Sequence, residues 1–208
     1  MSVVCLNGEE MVDAGEGADD TNYNGLAMAT NCIENVPYSV GGTKCVNAMS
    51  GDHFNSIKDV YDGIYQTHTQ AAGCGDGHDH PAAKQCQEYQ PVLAGAARER
   101  YNFSQWFLPS YGQWVLVCKA FGIWVDEYST REKMAAQLPK VAQIFKSKGW
   151  SWDGVFDRDM WTATQHSNGK SDALLGGFLV HNDGNDHTIP TPMTETHPAV
   201  PFMAFKYN

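Results

Sequence analysis

Charged residues and long apolar runs are both scarce in this sequence. Only 18% of the 208 residues are charged, and the formal net charge is −10 with a pI near 5.1. An acidic protein repels a phosphate backbone unless basic residues cluster locally, and the 14 Lys and Arg residues are scattered. The chain also has no run of about 18 apolar residues, the length that a membrane helix needs. The composition therefore predicts no nucleic-acid partner and no membrane insertion.

The short motifs of familiar catalytic chemistries are missing as well. The chain contains no Gly-x-Ser-x-Gly, no His-Glu-x-x-His, no phosphate-binding glycine loop and no dinucleotide fingerprint. Its six cysteines include no Cys-x-x-Cys pair, and their even number leaves both disulfides and reduced thiols open. The first residues lack the basic and apolar regions of a secretion signal. Either the protein is not secreted by that route, or the signal segment is absent from this chain.

The chain does contain enough apolar material for one large domain. Hydrophobic residues make up 42% of it and aromatic residues 12%, and 20 Gly with 9 Pro indicate many loops rather than a helical bundle. We predict one mixed α+β domain over residues 1–208. Its N-terminal part, residues 9–75, is expected to be loop-rich, and residues 9–24 within it are acidic and rich in Gly, Asn and Asp.

Residues 102–119 are central to the predicted fold. An apolar run at 106–108 stops at Pro109, and Ser110 is well placed to cap a helix that follows. A second helix is expected to begin at Pro81, because proline is favoured in the first turn.

A further helical pattern at 129–148 is predicted to be an insertion. It is capped by Ser129 or Thr130, and Pro139 should kink or split it.

Three segments of the chain resemble the signature of a bacterial branch of the C-type lectin fold. They read Ala-Ala-Lys-Gln-Cys-Gln-Glu-Tyr at 82–89, Trp-Phe-Leu-Pro-Ser-Tyr-Gly-Gln at 106–113 and Met-Trp-Thr-Ala-Thr at 160–164. The resemblance covers about residues 80–208. It implies two main helices, near 81–90 and 110–120, that flank small antiparallel sheets.

The same resemblance implies that the N-terminal strand at 3–6 pairs with the C-terminal strand. The residues expected to be largely buried are Trp106, Leu108, Trp114 and Trp161.

The resemblance also implies a function, because this signature is similar to ligand-displaying domains of bacterial surface adhesins and to variable proteins of diversity-generating retroelements. In those variable proteins a reverse transcriptase rewrites adenines, mostly at Asn codons, and residues 153–190 have the composition that such a process leaves. We therefore expect an exposed ligand-binding face on both sides of Trp161. The predicted contact residues are Val155, Phe156, Asp157, Arg158, Asp159, His166, Leu174, Leu175, His181 and Asp183.

The expected ligand is a protein or glycan on a cell surface. Display of such a face implies an extracellular or cell-surface location, or alternatively a phage virion. The sequence does not identify the ligand or the oligomeric state.

Metal binding and catalysis are the competing hypotheses. Cys74, His78, His80 and Cys86 have the side chains that zinc prefers, but their spacing matches no standard finger. Side-chain oxygens at 182–186 and at Glu195 are calcium-ligand types, yet the sugar-binding tripeptides Glu-Pro-Asn, Gln-Pro-Asp and Trp-Asn-Asp do not occur.

The alternative function is a metal-dependent enzyme related to the formylglycine-generating oxidases, with a site at the His-rich loop 76–80. Those oxidases share the fold and need a cysteine pair near the C-terminus, whereas the last cysteine here is Cys118. We therefore predict a binding domain without a metal or cofactor, not an enzyme.

Overall fold

The computed structural model of the protein describes residues 3–5, 25–45, 50–75, 77–90, 101–150, 157–168, 171–179 and 182–207. The strands are β1 (Val3–Cys5), β2 (Gly25–Ala29), β3 (Ile33–Pro37), β4 (Ser50–Gly51), β5 (Tyr101–Phe107), β6 (Met160–His166), β7 (Asp172–Gly176), β8 (Pro190–Pro192), β9 (Thr196–Ala199) and β10 (Phe202–Tyr207). The helices are α1 (Phe54–Ile57), α2 (Gly63–Ala71), α3 (Pro81–Gln87), α4 (Tyr111–Ala120), α5 (Arg131–Ala135) and α6 (Leu138–Ser147), with a 3₁₀ turn at Gly73–Gly75.

These strands form three small sheets. One sheet has the order β1-β2-β10-β5, the second pairs β3 with β9, and the third has the order β4-β6-β7-β8. The pairings within them are antiparallel except that of β4 with β6, which is parallel. The domain is therefore of mixed α+β class with small, mainly antiparallel sheets, as the sequence predicted.

The two terminal strands share a sheet but are not hydrogen-bonded neighbours, so the predicted pairing between them is wrong. β2 lies between them: Ala29 is opposite Val3 of β1, and Met28 is opposite Phe202 of β10. The reason lies in β2 itself, where the apolar residues from Leu26 to Ala29 are at most 1% exposed. An apolar strand covered on both faces belongs in the interior of a sheet, and this leaves β1 at the edge.

Both helices predicted near 81–90 and 110–120 are present, as α3 and α4. At the start of α4 the Gln113 N–H donates to the Ser110 hydroxyl at 3.2 Å, and the Ser110 N–H donates to the Gln113 side chain at 2.8 Å. This reciprocal capping box satisfies two donors that the helix leaves unpaired. Among the described helices, none is long and apolar enough to cross a membrane.

The predicted insertion at 129–148 forms two helices, in agreement with the expected effect of Pro139. Thr130 caps α5 by accepting the Lys133 N–H at 3.4 Å. Pro139 lies in the first turn of α6, where its missing N–H leaves no helical bond unmade. The fully buried residues that attach the two helices to the core are Met134, Val141 and Phe145.

Within the described residues, the apolar interior has two clusters, one on each face of β6 and β7. Along β6, Met160 belongs to the cluster around Trp114 of α4, whereas Trp161 belongs to the cluster that contains Tyr38. Along β7, Leu174 and Leu175 divide between the clusters in the same way. Successive side chains of a strand point to opposite faces, so the sheet is covered on both sides.

The signature aromatic residues lie in this interior, as predicted. The exposed fractions are 7% for Trp106 and 0% for Leu108, Trp114 and Trp161. The Trp161 indole N–H donates to the Val36 carbonyl at 2.8 Å, which joins the third sheet to β3.

Candidate ligand-binding surface

The ten predicted contact residues fall into three groups. Three lie outside the described residues: Val155, Phe156 and His181. Four are exposed or partly exposed: Asp157, Arg158, Asp159 and Asp183. Three are buried: His166, Leu174 and Leu175. The predicted set therefore does not form one exposed face.

The expected exposure of Leu174 and Leu175 is wrong, because β7 is an interior strand of its sheet. The side chains of these residues are 1% and 7% exposed, respectively. β7 pairs with β6 on one side and β8 on the other, and both of its faces contact an apolar cluster. The position of Leu174 and Leu175 after Trp161 carries no information on whether the second face of their strand is covered.

The expected exposure of His166 is also wrong, since this side chain is only 7% exposed. His166 ends β6, where it is opposite Gly51 of β4. Its Nδ1 accepts the Asn168 N–H at 3.2 Å, and its carbonyl accepts a hydrogen bond from the Lys44 ammonium group. These contacts give His166 a local structural role at the end of the strand.

Arg158 and Asp159 form ion pairs within the protein. The Arg158 guanidinium donates to Glu34 on β3 at 2.6 Å, and this hydrogen bond lowers the pKa of the Glu34 carboxyl. Asp159 accepts from Nε of Arg131 at 3.4 Å. Both pairs are at least partly exposed, so their contribution to stability is small, of order 1 kcal/mol or less.

A different exposed surface is formed by three segments, residues 52–55, 124–130 and 182–188. The Asn182 N–H donates to the Ser129 carbonyl at 3.0 Å, and the Asp186 N–H donates to the Glu127 carbonyl at 3.1 Å. The Phe54 N–H donates to the Asp186 carbonyl at 2.8 Å. These backbone bonds hold the segments together, and we call the result the three-loop surface.

The Asp126 carboxylate organises the first of these loops. It accepts hydrogen bonds from the Trp124 indole at 2.7 Å, the Ser129 hydroxyl at 2.9 Å and the Tyr128 N–H at 3.0 Å. Burial on its own raises the pKa of Asp126, but these donors outweigh burial, so the pKa lies below 3.8. The carboxylate therefore stays ionised at neutral pH and fixes the loop conformation.

Carboxylates in the 182–188 loop act in the same way. Asp183 Oδ1 accepts the N–H groups of Asn185 and His187 at 2.7 and 3.3 Å, and Asp186 accepts the Asn55 N–H at 2.9 Å. These oxygens, which the sequence suggested as calcium ligands, are used as acceptors for the loop backbone. Within the described residues, no group of three or more His, Cys, Asp or Glu side chains is placed to hold a metal ion.

Two large aromatic residues of the three-loop surface are exposed. The exposed fraction is 74% for Trp124 and 57% for Tyr128, while the flanking Ile123 and Val125 are buried. Neither residue was among the predicted contact residues. The sequence gives no signal for the exposure of Trp124, because Ile123, Trp124 and Val125 are all apolar and lie outside any strand.

The suggested zinc set is divided by a disulfide. Cys74 is bonded to Cys45, so its sulfur is not a free thiolate, although His80 Nε2 lies 3.1 Å from it. His78 is exposed, whereas His80 and Cys86 are buried at 1% and 0% exposure.

A groove of about 380 Å³ lies elsewhere on the domain. It is lined by His68, Gln87, Gln90, Gln105 and Trp106. The exposed aromatic pair of the three-loop surface does not contribute to its lining.

No family model, no curated protein and no solved structure matches this chain significantly.

Proposed function

We propose that this protein is a ligand-binding domain that recognises a protein or glycan on a cell surface through the three-loop surface. The observation that carries the proposal is the exposure of Trp124 and Tyr128 on hydrogen-bonded loops. Large aromatic side chains are enriched among the residues that contribute most to binding, and the exposure of two of them within one loop supports a recognition role. Their loops are already held in place, so binding does not need to order them.

The resemblance to the C-type lectin fold supports this assignment. The capped helix α4 and the buried Trp161 are the structural counterparts of its sequence signature. We propose that the domain has this fold, in which a rigid core supports loops that carry the specificity. In this proposal the binding face is formed by loops, and the predicted contact residues His166, Leu174 and Leu175, which are buried in strands, do not contribute to it.

Charge favours a ligand with positive or hydrogen-bond-donating groups. Trp124 and Tyr128 share their loop with the acidic residues Asp126 and Glu127, Asp183 lies in the adjoining loop, and the chain has a net charge of −10. Complementary potentials accelerate association and disfavour acidic partners.

We propose an extracellular or cell-surface location, or a phage virion. The Cys45–Cys74 disulfide supports this location, because such bonds persist mainly in oxidising compartments.

The resemblance to retroelement variable proteins also remains a proposal. Asp157, Arg158, Asp159 and Asp183 retain access to solvent and suit a variable surface, whereas substitutions at Leu174 and Leu175 would alter the core. Sequencing around the gene tests this point: a reverse transcriptase gene beside a near-repeat of the 3′ end is expected. Diversity at the codons for the two leucines, with the fold retained, would contradict the surface assignment.

The binding function can be tested with a fluorescently labelled domain on a panel of cells and on immobilised glycans. We expect the double variant Trp124→Ala/Tyr128→Ala to lose at least about tenfold in affinity, because two anchors are each worth more than about 1 kcal/mol. Tyr65→Ala is the matched control, since Tyr65 is 56% exposed and lies on α2. Equal binding by all three proteins would exclude the three-loop surface as the contact face.

A further inference from the structure

Two histidines face each other on the three-loop surface. His53 and His187 form an isolated antiparallel β-bridge, and their ring centroids are 4.8 Å apart with the ring planes inclined at 53°. Their side chains are 46% and 56% exposed. Residues directly opposite on an antiparallel bridge project their side chains to the same face, so one small ligand can reach both rings.

Each ring is oriented by its own carboxylate. His53 Nδ1 lies 2.6 Å from Asp52 Oδ1, and His187 Nδ1 lies 3.1 Å from Asp183 Oδ2. The Nδ1–H of each ring donates a hydrogen bond to its carboxylate, which leaves the lone pair of the neutral imidazole on Nε2.

The backbone fixes the positions of both carboxylate–histidine pairs. The Thr188 N–H donates to the Asp52 carbonyl and the Asp183 N–H donates to the His187 carbonyl, each at 2.9 Å. No described residue forms a hydrogen bond with Nε2 of either histidine. The two partly exposed rings are thus oriented so that each Nε2 lone pair can bind a metal ion. A carboxylate that accepts a hydrogen bond from Nδ1–H is the usual support of a histidine metal ligand.

We propose that His53 and His187 together bind one divalent transition-metal ion of the zinc, copper and nickel class through their Nε2 atoms. Imidazole nitrogen suits these ions, whereas magnesium and calcium prefer oxygen ligands. Asp52 Oδ1 and both carboxylate oxygens of Asp183 are already bonded to histidine or to backbone N–H groups, which further disfavours a hard cation. Water completes the coordination in the free domain. This inference does not rest on the proposed function, because it concerns ion binding alone.

The test is equilibrium dialysis with zinc and electron paramagnetic resonance with one equivalent of copper(II). The intact domain is expected to retain one zinc ion per chain and to show two coordinated imidazole nitrogens. The single variants His53→Ala and His187→Ala should each lose one nitrogen and at least about tenfold in zinc affinity. His68→Ala is the matched control, because His68 is an exposed histidine on α2 outside the pair.

A further variant tests the role of the carboxylate. Asp183→Asn preserves Oδ1 as an acceptor for the loop N–H groups but places an amide donor opposite His187 Nδ1. The amide favours the tautomer with its proton on Nε2, so zinc affinity should fall by about 10–100-fold, the usual effect of removing such support. Circular dichroism confirms that each variant is folded, and His53→Gln replaces His53→Ala if the latter is not.

Two outcomes overturn the proposal. One is zinc binding that is unchanged in the double variant His53→Ala/His187→Ala. The other is the absence of stoichiometric zinc or copper binding by the intact domain.

Discussion

Trp161 illustrates how single residues determine the stability of this domain. It is fully buried, its indole N–H donates to Val36, and its ring centroid lies 5.4 Å from that of Tyr38 and 4.9 Å from that of His197. Trp161→Ala should lower the free energy of unfolding by about 3–5 kcal/mol, because it leaves a large cavity. Chemical denaturation measures this change.

Trp124 provides the matched control for this prediction. It is 74% exposed, so Trp124→Ala should change the free energy of unfolding by only about 0.5 kcal/mol. Comparable losses for both variants would mean that the interior is not organised around Trp161.

Asp62 is a second residue with a predictable effect, and this effect depends on pH. Desolvation by burial raises its pKa above 3.8, although the Gln66 side chain donates to it at 2.7 Å. The protonated form is thus favoured in the folded state. The protonated Asp62 carboxyl therefore contributes its whole stabilisation below pH 3.8, and this stabilisation is lost as the pH rises through the folded-state pKa.

Asp62→Asn should therefore raise the melting temperature at neutral pH and have little effect below pH 3.8. The variant keeps an oxygen to accept from Gln66 and cannot become charged. Melting curves of both proteins from pH 3 to 8 provide the test. A variant that is less stable than the wild type at pH 7 would show that the charged carboxylate stabilises the fold.

At the scale of the elements, the cap of α4 connects the helix to the chain before α2. The Ser110 hydroxyl accepts the Gln113 N–H and donates to the Val60 carbonyl at 2.7 Å, and the residue is fully buried. Ser110→Ala should lower the free energy of unfolding by about 1–3 kcal/mol, because a cap is lost and a buried carbonyl loses its donor.

Thr130→Ala is the comparison, since Thr130 caps the short helix α5 at a partly exposed site. Its effect should be smaller, about 1 kcal/mol or less. Equal losses in the two variants would contradict the role assigned to the Ser110–Val60 hydrogen bond.

The helices from α3 to α6 could be predicted from the sequence because their boundaries depend on local chemistry. Helices α1 and α2 were not predicted, since they lie in the part of the chain that was expected to be loop-rich. Ser110, Pro81 and Pro139 act within one helical turn, and each is placed as expected. Strand neighbours depend instead on contacts between distant segments. The insertion of β2 between β1 and β10 is such a contact, and no local pattern specifies it.

At the scale of the whole molecule, the core was easier to predict than the binding surface. Trp106, Trp114 and Trp161 are buried because such large apolar side chains are favoured in the interior of a folded protein. Leu174 was expected at the surface because of its position near Trp161, yet two apolar clusters cover the faces of its sheet. In the three-loop surface, Asn55 and Asp186 are 131 residues apart in the sequence, so only the folded chain brings them together.

The central claim is that the three-loop surface is the face that contacts the ligand. The most direct test is hydrogen–deuterium exchange of the domain, measured free and saturated with the ligand found on the panel of cells and glycans. We expect slower exchange on binding to be concentrated in residues 52–55, 124–130 and 182–188. Unchanged exchange in these segments, with protection instead around the groove at His68 and Gln105, would contradict the account.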